Sequence, residues 1–114
     1  MDAEAFRDLA LSLPEAVESS HMGAADFRVR GKIFAQPPAR PGGSAIIKLT
    51  RDEQEMMCAA EGAAFTPEPG YWGRLGWTRL AVDAVDEVTA RSALWAAWRN
   101  VVPKALIEAL SRPK

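Results

Sequence analysis

The residues whose types and spacing are best suited to chemistry lie in Gly70-Tyr71-Trp72-Gly73-Arg74-Leu75-Gly76-Trp77-Thr78, which holds two tryptophans, a tyrosine, an arginine and three glycines. Glycines at 70, 73 and 76 permit positive φ or the close approach of another backbone or a ligand, so the segment should turn sharply. The turns then aim the rings. Trp72 and Trp77 either wedge the edge of the core or offer flat faces on which bases stack beside Arg74. Large aromatics beside glycine pack more often than they bind, and both readings stay open.

The other reactive side chains are isolated. Cys58 is the single cysteine, so neither an internal disulfide nor a multi-cysteine metal site can form within the chain, and its Met56-Met57-Cys58-Ala59-Ala60 setting suits a buried thiol. His21 is the single histidine and fits a local hydrogen bond better than catalysis. Glu53 and Glu55, two apart on an expected helix, point in different directions and do not form an acid–base pair. Gly42-Gly43-Ser44 lacks the lysine and the strand–helix setting of a phosphate loop. With no nucleophile beside a base and no cofactor fingerprint, the sequence points away from an enzyme and predicts no catalytic residue, cofactor or metal.

A chain of 114 residues, 48% apolar and 25% charged, has the size and balance of one globular domain, expected over 1–114. No apolar run approaches the ~18 residues of a membrane span, and Met1-Asp2-Ala3-Glu4 is acidic where a secretory leader is basic. A cytoplasmic protein without membrane contact, monomeric or weakly dimeric, is the expectation. The net charge of −1 hides segregation: residues 1–26 carry six acids and one base, 27–51 six bases and no acid, and 52–70 five acids and no base. One basic face set against an acidic remainder is compatible with that pattern.

Elements must position these groups. Asp2 suits an N-cap, and Phe6, Leu9, Ala10 and Leu13 recur at helical spacing until Pro14. Residues 15–25 read as a loop. Phe27-Arg28-Val29-Arg30 and Ile33-Phe34-Ala35-Gln36 read as a hairpin across Gly31-Lys32, with Val29 opposite Phe34 and Arg28 opposite Ala35. Phe27, Val29 and Phe34 then share one face, and Arg28, Arg30, Ile33 and Ala35 the other. Three prolines and two glycines make residues 37–44 a loop, and Ala45–Leu49 a third strand.

Thr50-Arg51-Asp52-Glu53 has capping-box form, so a helix is expected over 51–61 with Met56, Met57 and Ala60 as its apolar stripe and Gly62 after its end. Phe65–Pro69 should be extended or irregular. Residues 77–82 alternate as a strand with Thr78, Leu80 and Val82 inward and Trp77 and Arg79 outward. Asp83 or Asp86 caps a long last helix with Trp95 and Trp98 in the core, and Pro103 separates it from a helical segment over 104–110. The result is an α+β fold with helices on one sheet face and Arg, Lys and Trp on the other.

Taken in order, Ser12-Leu13-Pro14-Glu15, His21-Met22-Gly23, Asp26-Phe27-Arg28-Val29, Gly31-Lys32-Ile33-Phe34-Ala35, Lys48-Leu49, Gly73-Arg74-Leu75-Gly76-Trp77 and Ala97-Trp98 through Pro103-Lys104 resemble the MmcQ/YjbR family over nearly the whole chain. Met22 stands where an aromatic residue is expected in that family, a departure that bears on local packing. The resemblance implies an α+β fold similar to the CyaY-like, or frataxin-like, architecture: an antiparallel sheet of about four to five strands packed on one face by N- and C-terminal helices. It also implies DNA binding through a "double wing", an analogy of fold that does not by itself fix function.

Two sites follow. For nucleic acid, the contact residues are Arg28, Arg30, Lys32, Lys48, Arg74 and Arg79, with Trp72 or Trp77 stacking on an unpaired base. For a small anionic ligand or a protein partner, His21, Lys32, Lys48, Trp72 and Arg74 surround one pocket.

Overall fold

The computed structural model describes residues 1–111. Helix α1 (Ala3–Leu11) begins where expected, with the Asp2 carboxylate accepting from the Ala5 amide at 2.8 Å, and buries Phe6, Leu9 and Ala10. The expected loop over 15–25 is a correction: most of it is strand β1 (Val17–His21), joined to β2 (Ala24–Val29) by Met22 and Gly23 at φ 52° and 80°. Positive φ at both turn residues matches the twist of the paired strands. None of β1's side chains is buried, so no apolar alternation marked it in the sequence.

The hairpin between β2 and β3 (Lys32–Gln36) also forms, but its turn is Arg30-Gly31, at φ 49° and 82°, not Gly31-Lys32. Val29 pairs with Lys32, Arg28 with Ile33 and Phe27 with Ala35, which leaves Phe34 as an extra residue on β3. Such a bulge rephases the strand. Phe27, Val29 and Phe34 are buried together as expected, while Ala35 turns inward against expectation. Arg30 sits on the turn, away from the face that Arg28 occupies.

Strands β4 (Ser44–Lys48), β5 (Phe65–Pro67) and β6 (Trp77–Ala81) complete one antiparallel sheet in the order β1-β2-β3-β4-β6-β5, one strand more than the upper expectation. Helix α2 (Arg51–Ala60) carries the expected capping box, Thr50 Oγ1 accepting from the Glu53 amide and the Glu53 carboxylate from the Thr50 amide. Its inward face differs from the one expected. Gln54 is 3% exposed, Met57 and Cys58 are half-buried, and Met56 is 61% exposed.

A short helix α3 (Tyr71–Arg74) precedes β6, and a 3₁₀ turn (Val82–Ala84) follows it. Helix α4 (Glu87–Val101), capped by Asp86 through the Thr89 amide at 2.8 Å, lies across β3 and β4 and against α1. It buries Ala90, Ala93, Leu94, Ala97 and Trp98, and the small alanines let it approach the sheet closely. Trp98 donates from Nε1 to the Pro14 carbonyl at 2.9 Å, tying α4 to the end of the α1 segment. Trp95, expected in the core, is half-buried with its ring edge-on to Trp98 at 5.2 Å. After Pro103 comes α5 (Lys104–Ser111). Helices thus cover the inner face built from Phe27, Val29, Phe34, Ile47 and Leu80, and the outer face of β3, β4 and β6 stays open.

Candidate binding cleft on the open sheet face

Strand alternation decides what the open face presents. Ile46 pairs with Gln36 on one side and Arg79 on the other, and Lys48 pairs with Trp77. These partners therefore share the outer face, and the bulge at Phe34 brings Gln36 there together with Ile33. Trp72, projected from α3, and Glu68, just after β5, close a cleft of about 270 Å³ lined by Ile33, Gln36, Ile46, Glu68, Trp72 and Trp77. Its wall is mostly hydrocarbon and indole. A second depression of about 360 Å³, which shares Ile46 and Glu68 with it, runs on to Arg40, Ser44 and Arg79.

The glycine-rich segment positions both rings. A Cβ at Gly73 would meet the Glu68 carbonyl oxygen at 1.9 Å, and one at Gly76, where φ is 101°, would meet that of Leu49 at 1.9 Å. Only glycine lets these backbones close. Leu49 donates to the Gly76 carbonyl at 3.1 Å and Glu68 to that of Trp77 at 3.0 Å. Behind them Gln54 Nε2 lies 3.1 Å from the carbonyls of Gly73 and Trp77 and from Thr78 Oγ1, so α2 ties α3 to the start of β6. Asn100 in α4 donates to Glu53 at 2.8 Å and to the Lys48 carbonyl at 3.0 Å, which braces α2 against β4.

The cations divide into two groups. Arg28 forms a two-point ion pair with the buried Asp26 at 2.7 and 2.9 Å, Arg30 another with Glu15 at 3.0 Å each, and Arg79 donates to Glu68 at 2.8 Å. The Arg30 guanidinium holds the Glu15 carboxyl below its usual range. Lys32, Lys48 and Arg74 have no acidic partner among the described residues, and all three lie at the end of the sheet where Trp77 begins. Lys48 Nζ sits 5.5 Å from the centroid of the Trp77 ring and donates to the Leu75 carbonyl. Burial pushes its ammonium pKa down.

Of the residues expected to contact nucleic acid, Arg28, Lys48, Trp77 and Arg79 share the outer face, Trp72 reaches its cleft from α3, Arg74 is the last residue of α3, and Lys32 and Arg30 flank the β2–β3 turn. The five residues expected around an alternative pocket do not converge. Lys48, Trp72 and Arg74 gather around α3 and Lys32 lies two strands away at the same end, but His21 is at the β1–β2 turn, the opposite end of the sheet.

Glu68, Gln36 and Gln54 went unrecognised in the sequence. Glu68 stands between Pro67 and Pro69 with no periodicity to mark it. Gln36 is displaced by the bulge, while Gln54 is detectable only as a polar member of an i, i+3, i+4 set with Met57 and Cys58.

The fold and cleft define a small α+β domain whose helices back an antiparallel sheet and leave its other face open. It superposes on the crystal structure of Deinococcus radiodurans protein DR2400, described by the domain DUF419, with a TM-score of 0.68 over 94% of this chain and 86% of that one. At 16% identity this likeness is one of fold. The YjbR family profile matches residues 11–100, and the chain belongs to the YjbR family. No sequence among curated proteins matches it. Among the described residues no helix is long and apolar enough to cross a membrane, and no cluster of histidine, cysteine and carboxylates could hold a metal.

Proposed function

We propose that this chain is a non-enzymatic binding module that takes single-stranded nucleic acid on its open sheet face, with an unpaired base between Trp72 and Trp77. The observation that supports it is the shared cleft lined by two indoles, Trp77 and the 59% exposed Trp72, with Lys48, which has no acidic partner among the described residues, 5.5 Å from the Trp77 ring. Base–aromatic stacking contributes about 1–3 kcal/mol per base and tolerates any base.

Duplex DNA held by two wings is the weaker form of this reading. A phosphate reaching Arg28, Arg30 or Arg79 has to displace Asp26, Glu15 or Glu68, and desolvating an exchanged ion pair offsets the gain. Three free cations imply a salt slope near −2 on a single strand, at about −0.7 per neutralised phosphate. Fluorescence anisotropy of labelled single-stranded and duplex DNA at two salt concentrations tests this. The single strand should bind better, weaken with that slope, and be lost in a folded Trp72→Ala protein. No single-strand binding at low salt would sink the reading.

A small anionic ligand with one planar ring is the second reading, favoured by a cleft of about 270 Å³ that admits a single ring. Such a ligand makes a free mononucleotide compete as well per site as an oligonucleotide, whereas a single-strand binder needs the longer chain.

A further inference from the structure

Two polar groups interrupt the otherwise apolar wall of the tryptophan cleft, and both lack part of their hydrogen bonding. Glu68 Oε1 accepts from Arg79 Nε at 2.8 Å, which fixes the carboxylate plane, while its second oxygen has no protein donor among the described residues. The Glu68 side chain is 18% exposed and lines both the tryptophan cleft and the adjoining depression. The Gln36 amide, which also lines the cleft, has no protein partner among the described residues. Groups so placed discriminate strongly, because the wrong ligand leaves them desolvated and unpaired.

We infer that the cleft selects bases carrying an exocyclic amine beside a ring-nitrogen acceptor, cytosine and adenine, over the keto bases thymine and uracil; this rests on the single-strand reading above. A carboxylate oxygen accepts the amine N–H, and the Gln36 amide donates to the neighbouring ring nitrogen. Thymine and uracil reverse this edge. Their carbonyl oxygen faces the Glu68 oxygen, acceptor against acceptor, and the Gln36 amide, turned to accept from their N–H, does not relieve that opposition. Stacking on Trp72 and Trp77 supplies affinity without choosing a base, and the Gln36 amide can serve either edge, so the choice belongs to the acceptor-only Glu68 carboxylate. Arg79 acts through Glu68 as a positioning residue: its ion pair holds one carboxylate oxygen and leaves the other for the ligand.

Labelled homopolymers of deoxycytidine and of thymidine, equal in length and charge, separate edge recognition from phosphate attraction. Wild-type protein should bind the deoxycytidine strand at least about fivefold tighter, the lower bound for one good two-point base contact. Glu68→Gln, whose amide can donate to a carbonyl, should remove or reverse the preference and, by releasing Arg79 from its ion pair, steepen the salt slope by up to about 0.7. Glu68→Ala, which removes both carboxylate oxygens, should likewise abolish the preference and decides the matter if Glu68→Gln does not fold, while Gln36→Ala should weaken the two strands alike. Equal binding of the two strands by wild type overturns this inference and leaves the single-strand reading standing. A preference unchanged in a folded Glu68 variant overturns the assignment to Glu68. Failure of both strands to bind overturns the inference and the single-strand reading together.

Discussion

The side-chain amide of Gln54 in α2 donates to the main-chain carbonyl of Trp77 in β6 at 3.1 Å, and the same nitrogen lies as close to the Gly73 carbonyl and the Thr78 hydroxyl. One buried polar side chain thus fixes the segment that carries both cleft tryptophans. Gln54→Leu removes the donor shared by the Gly73 and Trp77 carbonyls, each of which keeps one backbone partner, at a cost of about 0.5–1.5 kcal/mol. Urea unfolding followed by tryptophan emission should show a lower midpoint together with a red shift of the native signal from Trp77. An unchanged midpoint would mean that the segment holds its shape without α2.

Gly76→Ala should be more damaging than an exposed glycine substitution. The new methyl would sit 1.9 Å from the Leu49 carbonyl oxygen at a φ of 101°, so overpacking and backbone strain add, for a cost of roughly 2–4 kcal/mol. Thermal unfolding checks this. Full retention of the melting temperature would contradict the close approach of the two backbones.

Burial lowers the pKa of Lys48, so at this site the unfolded chain holds its proton more tightly than the folded one. Stability from this group is therefore lowest while both states are protonated, and rises as pH climbs through the depressed folded value toward the ordinary lysine value of about 10.4. Lys48→Met keeps the apolar stem and removes the charge. The difference in unfolding free energy between wild type and Lys48→Met should move in favour of wild type across that alkaline window, as read from urea titrations at a series of pH values. A constant difference would count against burial of the ammonium.

Glu15 gives the same direction of pH dependence, on the acid side. Its carboxyl is held below the usual range by Arg30, so the pair's contribution is present above the ordinary glutamate pKa and fades as pH falls through the lowered folded value. Arg30→Gln should remove this acid-limb dependence and leave oligonucleotide affinity nearly untouched, because its guanidinium is already committed. Lys32→Gln/Arg74→Gln should flatten the salt slope by roughly 1.4, at about 0.7 per lost phosphate contact. If Arg30→Gln lowers affinity as much as the double variant does, the paired arginines contact the strand after all.

Much of this architecture was legible because the signals are local. Asp2 and Thr50 cap their helices from within three residues, and Phe6, Leu9 and Ala10 repeat at the helical period. What was hidden depends on partners distant in sequence. Phe34 is an extra residue only relative to β2, and this register error put Ala35 outside and left Gln36 unnoticed. Arg79 meets Glu68 across 11 residues and Arg30 meets Glu15 across 15, so a basic stretch read along the chain looked freer than it is. Arg28 and Asp26 are the exception: two apart on one strand, they share a face, and their pairing was open to the alternation rule. Edge strand β1 buries nothing, so its polar sequence passed for a loop.

The arginine–carboxylate pairs on and beside the sheet also have a kinetic consequence. A neutralised guanidinium projects a dipole in place of a charge, and the field of the remaining cations is screened within about 10 Å at 0.1 M salt. Ligands are then not drawn in from afar, and encounter proceeds at the unsteered rate of about 10⁵–10⁶ M⁻¹s⁻¹. Affinity differences among ligands should consequently appear as dwell time on the tryptophan face, with arrival rates nearly alike and almost indifferent to salt.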